Sequence, residues 1–550
     1  FFHLLYFDCL TLNFKTNTMN KISLIITFLL FGFLSHAQWN SDTAINTLVA
    51  TSNSGDIKSI GTTNGQTYVV FWKVVGAPTN YELRVQLLDA QGNQQFGEDG
   101  ALISDALPMS TFTYQWNINI DASDALYVGV TGSANDTGFV FKVGLDGLVD
   151  WSVSNPNALA VKVLPLASGN TVVAWLNTSS SVVSMQKYDA NGAAIWSSNT
   201  SLSVASSPAD LYEISSENIV LVYHLLGSGI SSTLYAQRFD SDGNSLWSSP
   251  TQLSNKTTAF IRNYDGASDG DVVYYGYYAS SGTRFDSYLQ RINPDGTLPW
   301  GINGADFDTS QARNEMETAI SFNAGSDFLW SVCTYRDSSQ GNSGEYIQKF
   351  DIQTGERQFT DSGKQVFDVG SDNVHAGDLQ LFEDQPLFLI KSGMDNGASP
   401  TTLNACFLDA NGDFVWTEQT KPVATFSANK ARVHFNTPVN GQATTVFVEN
   451  KGEGQKIYAQ NFTDPLLLSV TSVPGVSLQF VNPIGAKLVL SSATEIQTIT
   501  ISNILGQQVL KQNVHAKVFI ASAASWKPGV YYVSLTFNNG LSKAIKILKQ

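Results

Sequence analysis

Along most of the chain, apolar and polar residues alternate in short runs that stop at Gly, Asn or Asp, and this period of two predicts strands rather than helices. Aligned on one glycine, the runs repeat. LLDAQGNQQF (87–96) recurs as VGLDGLVDW, KYDANGAAIW, RFDSDGNSLW, RINPDGTLPW, KFDIQTGERQF and FLDANGDFVW, each with an aromatic four residues after the glycine. The pairs are Gly92/Phe96, Gly147/Trp151, Gly192/Trp196, Gly243/Trp247, Gly296/Trp300, Gly355/Phe359 and Gly412/Trp416. Successive glycines lie 45 to 59 residues apart, the period of an array of four-stranded units. Ahead of each turn runs an alternating strand such as VVSMQKYD or LYAQRFD. Ahead of that comes a more apolar run, and there are eight: TYVVFW, ALYVGV, TVVAW, IVLVYH, DVVYYGYY, FLWSVC, PLFLIK and TTVFVE. The Asp-x-x-Gly between third and fourth strands reads as a hairpin turn, Asp binding its own backbone and Gly supplying positive φ.

The eighth unit ends at IYAQNFTD (457–464) without a fourth strand, while QWNSDTAI (38–45) near the start parallels IWSSNTSL (195–202). Trp39 thus takes the place of a fourth-strand aromatic, and pairing this segment with the last unit closes a ring, which leaves only short sheet edges. The fold predicted for 38–465 is an eight-bladed β-propeller, with a seven-bladed ring plus an extra hairpin as the alternative. The eight aromatics (Trp39, Phe96, Trp151, Trp196, Trp247, Trp300, Phe359, Trp416) are expected to pack blade against blade, since a ligand would not need eight equivalent platforms. Gln86, Gln186, Gln237, Gln290, Gln348 and Gln460, before the turns, are expected to be buried and bonded to backbone.

Composition narrows the class. The 550 residues are 43% hydrophobic, 11% aromatic and 14% charged, which excludes disorder, collagen and a disulfide scaffold. Met19 opens MNKISLIITFLLFGFLSHAQ, with a Lys21 n-region, an apolar run from Ile22 to Leu34 and Ser35-His36-Ala37. That is the pattern of a secretory signal peptide (19–37), with 1–18 an upstream extension outside the mature protein. The run is too short to span a bilayer. Cys333 and Cys406 remain after cleavage; each sits in an apolar strand, so two buried free thiols are favoured over a pair. The net charge of −16 is uneven, because 466–550 holds seven Lys against one acid, Glu495. The strongly acidic remainder counts against nucleic acid as a partner.

Two family resemblances sit on these motifs. KFDIQTGERQF (349–359) resembles the Asp-x-x-Thr-Gly-x-x-x-Trp docking repeat of quinoprotein-like eight-bladed propellers, with Phe359 in place of Trp. This resemblance covers the turn and the blade packing alone. The looser repeats are also Asp-box-like, although the Asp-box of sialidases sets its aromatic three residues after Gly. From 476 to 550 the chain resembles the type A sorting domain of the type IX secretion system of Bacteroidetes. The opening FVNPIGAKLVL carries Asn482 and Pro483, ITISNILGQQVL carries Gly506 and Gln507, KPGVYYVSL carries Gly529, Val530 and Tyr531, and LSKAIKILKQ carries Lys543, Lys546 and Lys549. The segment itself reads as a small β-sandwich after a linker at 466–475. The resemblance implies a secreted protein, released or attached to the outer cell surface, with the secretion machinery as partner of its C-terminal domain.

Catalytic motifs are sparse. His224, His375 and His434 are scattered, without His-x-x-x-His or Gly-x-Ser-x-Gly. No cofactor or metal site is expected. The weak calcium candidates, 240–244 and 368–373, lack a terminal bidentate Glu. A binding or adhesion propeller, with a glycan among the candidate ligands, is preferred to a polysaccharide-degrading enzyme, because an active site would disturb the repeat spacing. Arg313, Glu315, Glu317, Arg336 and Asp337 are the least repeat-like charges and the first place to look for a site.

Overall fold

The computed structural model describes residues 39–51, 56–76, 80–108, 116–132, 137–262, 264–394, 397–464, 478–480, 484–503, 507–538 and 542–549. The signal segment, the linker, Asn482, Pro483 and Gly506 lie outside them, as does the side chain of Lys543.

Among the described residues up to Asp464 the strands form eight antiparallel sheets in chain order, the blades. Seven have four strands, and the fourth blade adds the short strand Thr258–Ala259. The first strands of the blades are Ile57–Gly61, Asn117–Ile120, Ala158–Pro165, Ser206–Glu213, Asp265–Asp269, Asn314–Ser321, Asn373–Phe382 and Lys430–Phe435. Each touches the first strand of the next blade, and the eighth touches the first, so they surround a central channel. The molecule is a β-propeller.

The ring is closed by the chain's own beginning. Thr47–Ala50 pairs antiparallel with Gln455–Thr463 and supplies the outer strand of blade 8. The expected alignment of 38–45 needs correction: Trp39 takes the aromatic place, but the paired strand begins at Thr47, eight residues after Trp39, whereas Thr200 pairs four residues after Trp196. The intervening residues turn on Asp42, whose carbonyl and carboxylate accept from Ile45 N and Ala44 N.

Each aromatic reaches the next blade as well as its own. A Cβ added at Gly92 would stand 2.8 Å from the Trp39 ring, at Gly147 3.0 Å from Phe96, at Gly296 2.9 Å from Trp247, and at Gly355 2.8 Å from Trp300. These glycines also have φ near +80°, so the turn and the flat ring against it make the same demand. Trp196 Nε1 donates to Ser241 O, Trp247 Nε1 to Pro294 O and Trp300 Nε1 to Gln353 O. The same carbonyls accept from Lys187 Nζ, Arg238 Nη1 and Arg291 Nη1. At the closure Trp39 Nε1 and Gln442 Nε2 both donate to Ala90 O. Trp416, which meets no such turn in blade 8, packs on Phe462 with ring centroids 5.6 Å apart.

Gln186 shows why the residue before the turn is polar. Its Oε1 accepts from Trp196 N and its Nε2 donates to Trp196 O, holding the aromatic's backbone where no strand ladder does. Gln460 reaches Asn40 O in the same manner, across the closure.

Residues 478–549 form one further sheet of five strands: Leu478–Phe480, Lys487–Asn503, Gln508–Ser522, Gly529–Phe537 and Ser542–Lys549. The long Lys487–Asn503 strand pairs with three of the others. Ile484 N donates to Leu548 O and so ties the start of the domain to its last strand. Its core, with Leu488, Ile499, Val533 and Phe537 fully buried, draws on no propeller residue.

Candidate functional site: the axial channel

Five of the eight first strands carry a bulge. The register slips between Leu159 and Lys162, Pro208 and Asp210, Met316 and Ala319, Ala376 and Gln380, and Ala431 and His434. A bulge re-aims side chains. Here each slip brings a charged residue to the innermost strand: Lys162, Asp210, Glu317, Asp378 and Arg432 respectively.

The ladders define one level across all eight blades. In each, a first-strand residue pairs with the second-strand residue that itself pairs one place before the conserved Gln position. Those residues are Lys58, Asn117, Lys162, Asp210, Asp265, Ala319, Ala376 and His434. Six are polar or charged, and the two blades that offer alanine insert a carboxylate, Glu317 or Asp378, from the adjoining bulge. The channel is therefore ringed by polar groups at one height.

Two cavities open on this ring. One, of about 300 Å³, is lined by Lys58, Asn117, Asp378, Gln380, His434 and Asn436 among others. The second, of about 210 Å³, shares Asn117 and adds Lys162, Asp210, Tyr212, Tyr264 and Asp265. Several ring members also seal the splayed inner edges of neighbouring blades. Asn117 Oδ1 accepts from Val163 N at 3.0 Å, Asp265 Oδ2 from Ile320 N at 2.9 Å, and His434 Nε2 lies 3.1 Å from Ile57 O. Asp210 accepts from Tyr275 Oη at 2.9 Å and lies 3.6 Å from Lys162 Nζ.

Burial is the main force on the titratable groups of this ring. Burial, with Asp378 and Asp210 adding repulsion, pushes the Asp265 carboxyl up to about 7. Burial also raises the carboxyl of Asp210 and lowers Lys58, which Lys162 repels, while Asp378 is exposed to the water of the channel. Burial takes the imidazole of His434 down to about 4, so at neutral pH it is uncharged.

The least repeat-like charges do not converge. Glu315 is buried, accepts from Ser287 N, and is pushed up by burial to about 9. Glu317 lies 3.6 Å from Arg336, Arg313 is exposed, and Asp337 caps its own turn through Ser339, Gly341 and Asn342. His224 is buried against Ser232, and His375 binds Glu345 at 2.9 Å. Cys333 and Cys406 are buried free thiols. In the 240–244 turn, Asp240 already accepts from Asp242 N and Asn244 N. Among the described residues no group of three or more His, Cys, Asp or Glu could hold a metal ion. The ring itself was not read from the sequence. Its signal is the first-strand position level with the residue before each Gln, found only once the strands are paired.

In the C-terminal domain Gln507 closes a hairpin on Asn503, N to Oδ1 at 3.0 Å and Oε1 from Nδ2 at 2.8 Å. Gly529, Val530 and Tyr531 pair with Lys549, Leu548 and Ile547, and Tyr531 Oη donates to Lys527 O. Tyr532 pairs with Lys546, and Lys543 lies opposite Leu535.

Comparison with known proteins places this domain. Residues 480–550 match the family model of the secretion system C-terminal sorting domain. The chain is thus a β-propeller followed by a sorting domain, and it is a secreted or cell-surface protein whose tail engages the secretion machinery. Among the described residues no helix is long and apolar enough to cross a membrane. No curated protein matches the chain in sequence. Solved structures similar in part include puromycin hydrolase, at 12% identity and a TM-score of 0.38, the match covering 75% of this chain and 61% of the hydrolase. The β-propeller domain of the Trilobed protease from Pyrococcus furiosus follows, at 11% identity and a TM-score of 0.37, with 66% of this chain and 99% of that one covered. The GH93 α-L-arabinofuranosidase of Fusarium graminearum matches at 10% identity and a TM-score of 0.30, covering 56% and 93%.

Proposed function

We propose that this chain is a binding or adhesion protein, carried out of the cell by a type IX secretion system of the Bacteroidetes kind, which holds a glycan through its axial channel. The observation that carries the reading is the ring of polar groups at one height, opening on two cavities. Carboxylates, amides and ammonium groups fixed on rigid strands are the donors and acceptors that sugar hydroxyls require. The turn aromatics are spent on packing and offer no competing platform. Division of the chain into a propeller to 465, a linker to 475 and a sorting domain from 476 belongs to the same proposal.

One observation favours catalysis instead. Asp265, held near 7 beside other carboxylates, resembles in kind the paired acids of glycoside hydrolysis, one protonated and one ionised. A glycan array probed with the purified protein, with and without calcium, alongside hydrolysis of labelled polysaccharides, separates the two. Retention of specific glycans without turnover is expected. Turnover lost in Asp265→Asn would replace binding by hydrolysis.

A further inference from the structure

Most polar groups around the channel have protein partners. Asn117, Asp265 and His434 are bonded to the backbone of the next blade, and Asp210 to Tyr275 with Lys162 beside it. Gln380 donates to Phe435 O, and Asn436 to Ser59 Oγ.

Two charges of opposite sign are left over, and both line the cavity of about 300 Å³. Among the described residues neither Lys58 nor Asp378 has a hydrogen bond or an ion pair, so the two also stand beyond ion-pair distance of each other. Lys58 Nζ stands over the Trp116 ring, 5.8 Å to its centroid, within the fields of Lys162, Asp56, Asp378 and Arg432. Asp378 is presented by the Gly377 bulge, where φ is +74° and a Cβ would strike the backbone of Phe435 at 2.8 Å. The backbone conformation that aims this carboxylate is therefore available to glycine alone.

Asp378 is exposed to the water of the channel and Lys58 is half-buried, so filling the cavity with a neutral group would strip that water from both charges and replace it with nothing ionic. A singly charged group would satisfy one and strand the other. A group carrying an ammonium and a carboxylate satisfies both, and the volume lies at the low end for small-molecule sites, enough for one residue of a larger ligand. We infer that the cavity between Lys58 and Asp378 recognises a zwitterionic saccharide residue, its carboxylate directed to Lys58 and its amine to Asp378. This rests on the glycan-binding reading and adds the charge pattern of the sugar that enters. Selectivity would come from the stranded charge that every other sugar leaves behind.

The test titrates the full secreted protein, by calorimetry, with four monosaccharide probes: muramic acid (amine and acid), glucosamine (amine), N-acetylmuramic acid (acid) and glucose (neutral). Muramic acid is expected to bind at least tenfold more tightly than the other three. Lys58→Met and Asp378→Asn are each expected to weaken it at least tenfold, and Lys58→Arg to retain most of it. The nearly isosteric Asp378→Asn keeps the test decisive if Lys58→Met fails to fold. Equal affinity for muramic acid and either singly charged sugar, binding that survives both substitutions, or no binding of muramic acid overturns the inference. An array signal that both variants leave intact sinks this inference alone. A blank array together with no binding of any of the four sugars sinks the broader glycan reading as well.

Discussion

At Gly243 two demands meet on one Cα. Its φ is +85°, and a methyl there would stand 2.6 Å from Thr200 Oγ1 and 3.0 Å from the Trp196 ring. Gly282 has φ +69° with nothing within 4 Å, so it isolates the conformational part. Gly282→Ala should cost about 1–2 kcal/mol, the left-handed penalty alone, and Gly243→Ala a further 1–3 kcal/mol for overpacking the blade contact. Urea unfolding of the two variants measures the difference; equal losses would mean that the Trp–Gly contact yields freely. Asp265 gives a second prediction at this scale. Its folded carboxyl titrates at about 7, above the roughly 3.9 of an unfolded Asp. Below pH 4 both states hold the proton and no penalty exists. Between 4 and 7 the unfolded chain ionises first, so stability falls as pH rises, and above 7 the loss is complete. Asp265→Asn should flatten the pH dependence of the urea midpoint between pH 4 and 7, and an unchanged slope would assign the titration elsewhere.

Among the elements, the ribbon from Trp39 to Ala50 differs from every other outer strand in sequence position while making the same contacts. Trp39 rests on Gly92 and donates to Ala90 O, and Thr47–Ala50 completes the sheet of blade 8. Loss of one indole here loosens the ribbon whose pairing with Gln455–Thr463 joins the two ends of the array. Trp39 is half-buried, so Trp39→Ala should cost about 3 kcal/mol, the low end of the general figure for deleting a large aromatic, and Trp247→Ala, inside the array, should cost less per area lost. Thermal unfolding followed by tryptophan fluorescence and by calorimetry should show the seam variant losing cooperativity as well as midpoint; coincident single transitions in both variants would refute a special role for the closure. The Trp-to-Gly register of this ribbon was legible because blade packing imposes the same geometry seven times. The exact strand was not, since the turn at Asp42 inserts residues that no repeat predicts. The axial ring was illegible for the opposite reason. Each first strand presents a different side chain to the channel, and bulges after Leu159, Pro208, Met316, Ala376 and Ala431 shift the alternation that a sequence pattern relies on.

For the whole molecule, the issue is how a cargo and its export tail remain separable. Among the described residues the tail's buried cluster, from Ile484 to Ile547, shares no side chain with the clusters of the propeller, so its removal is expected to uncover no propeller core. Its seven lysines, against Glu495 alone, offset part of the acidity of the cargo, so the truncated chain is more acidic than the whole. A chain ending at Asp464 should therefore keep the tryptophan fluorescence of the packed blades while losing its address. Expressed in its native host and followed by fractionation and by protease treatment of intact cells, the truncated chain should accumulate inside the envelope, folded and protected, while the full chain is found outside or on the surface. If the truncated chain reaches the medium, the tail is dispensable for export. If it unfolds, the two cores are coupled through residues outside those described, and the tail stabilises the ring as well as directing it.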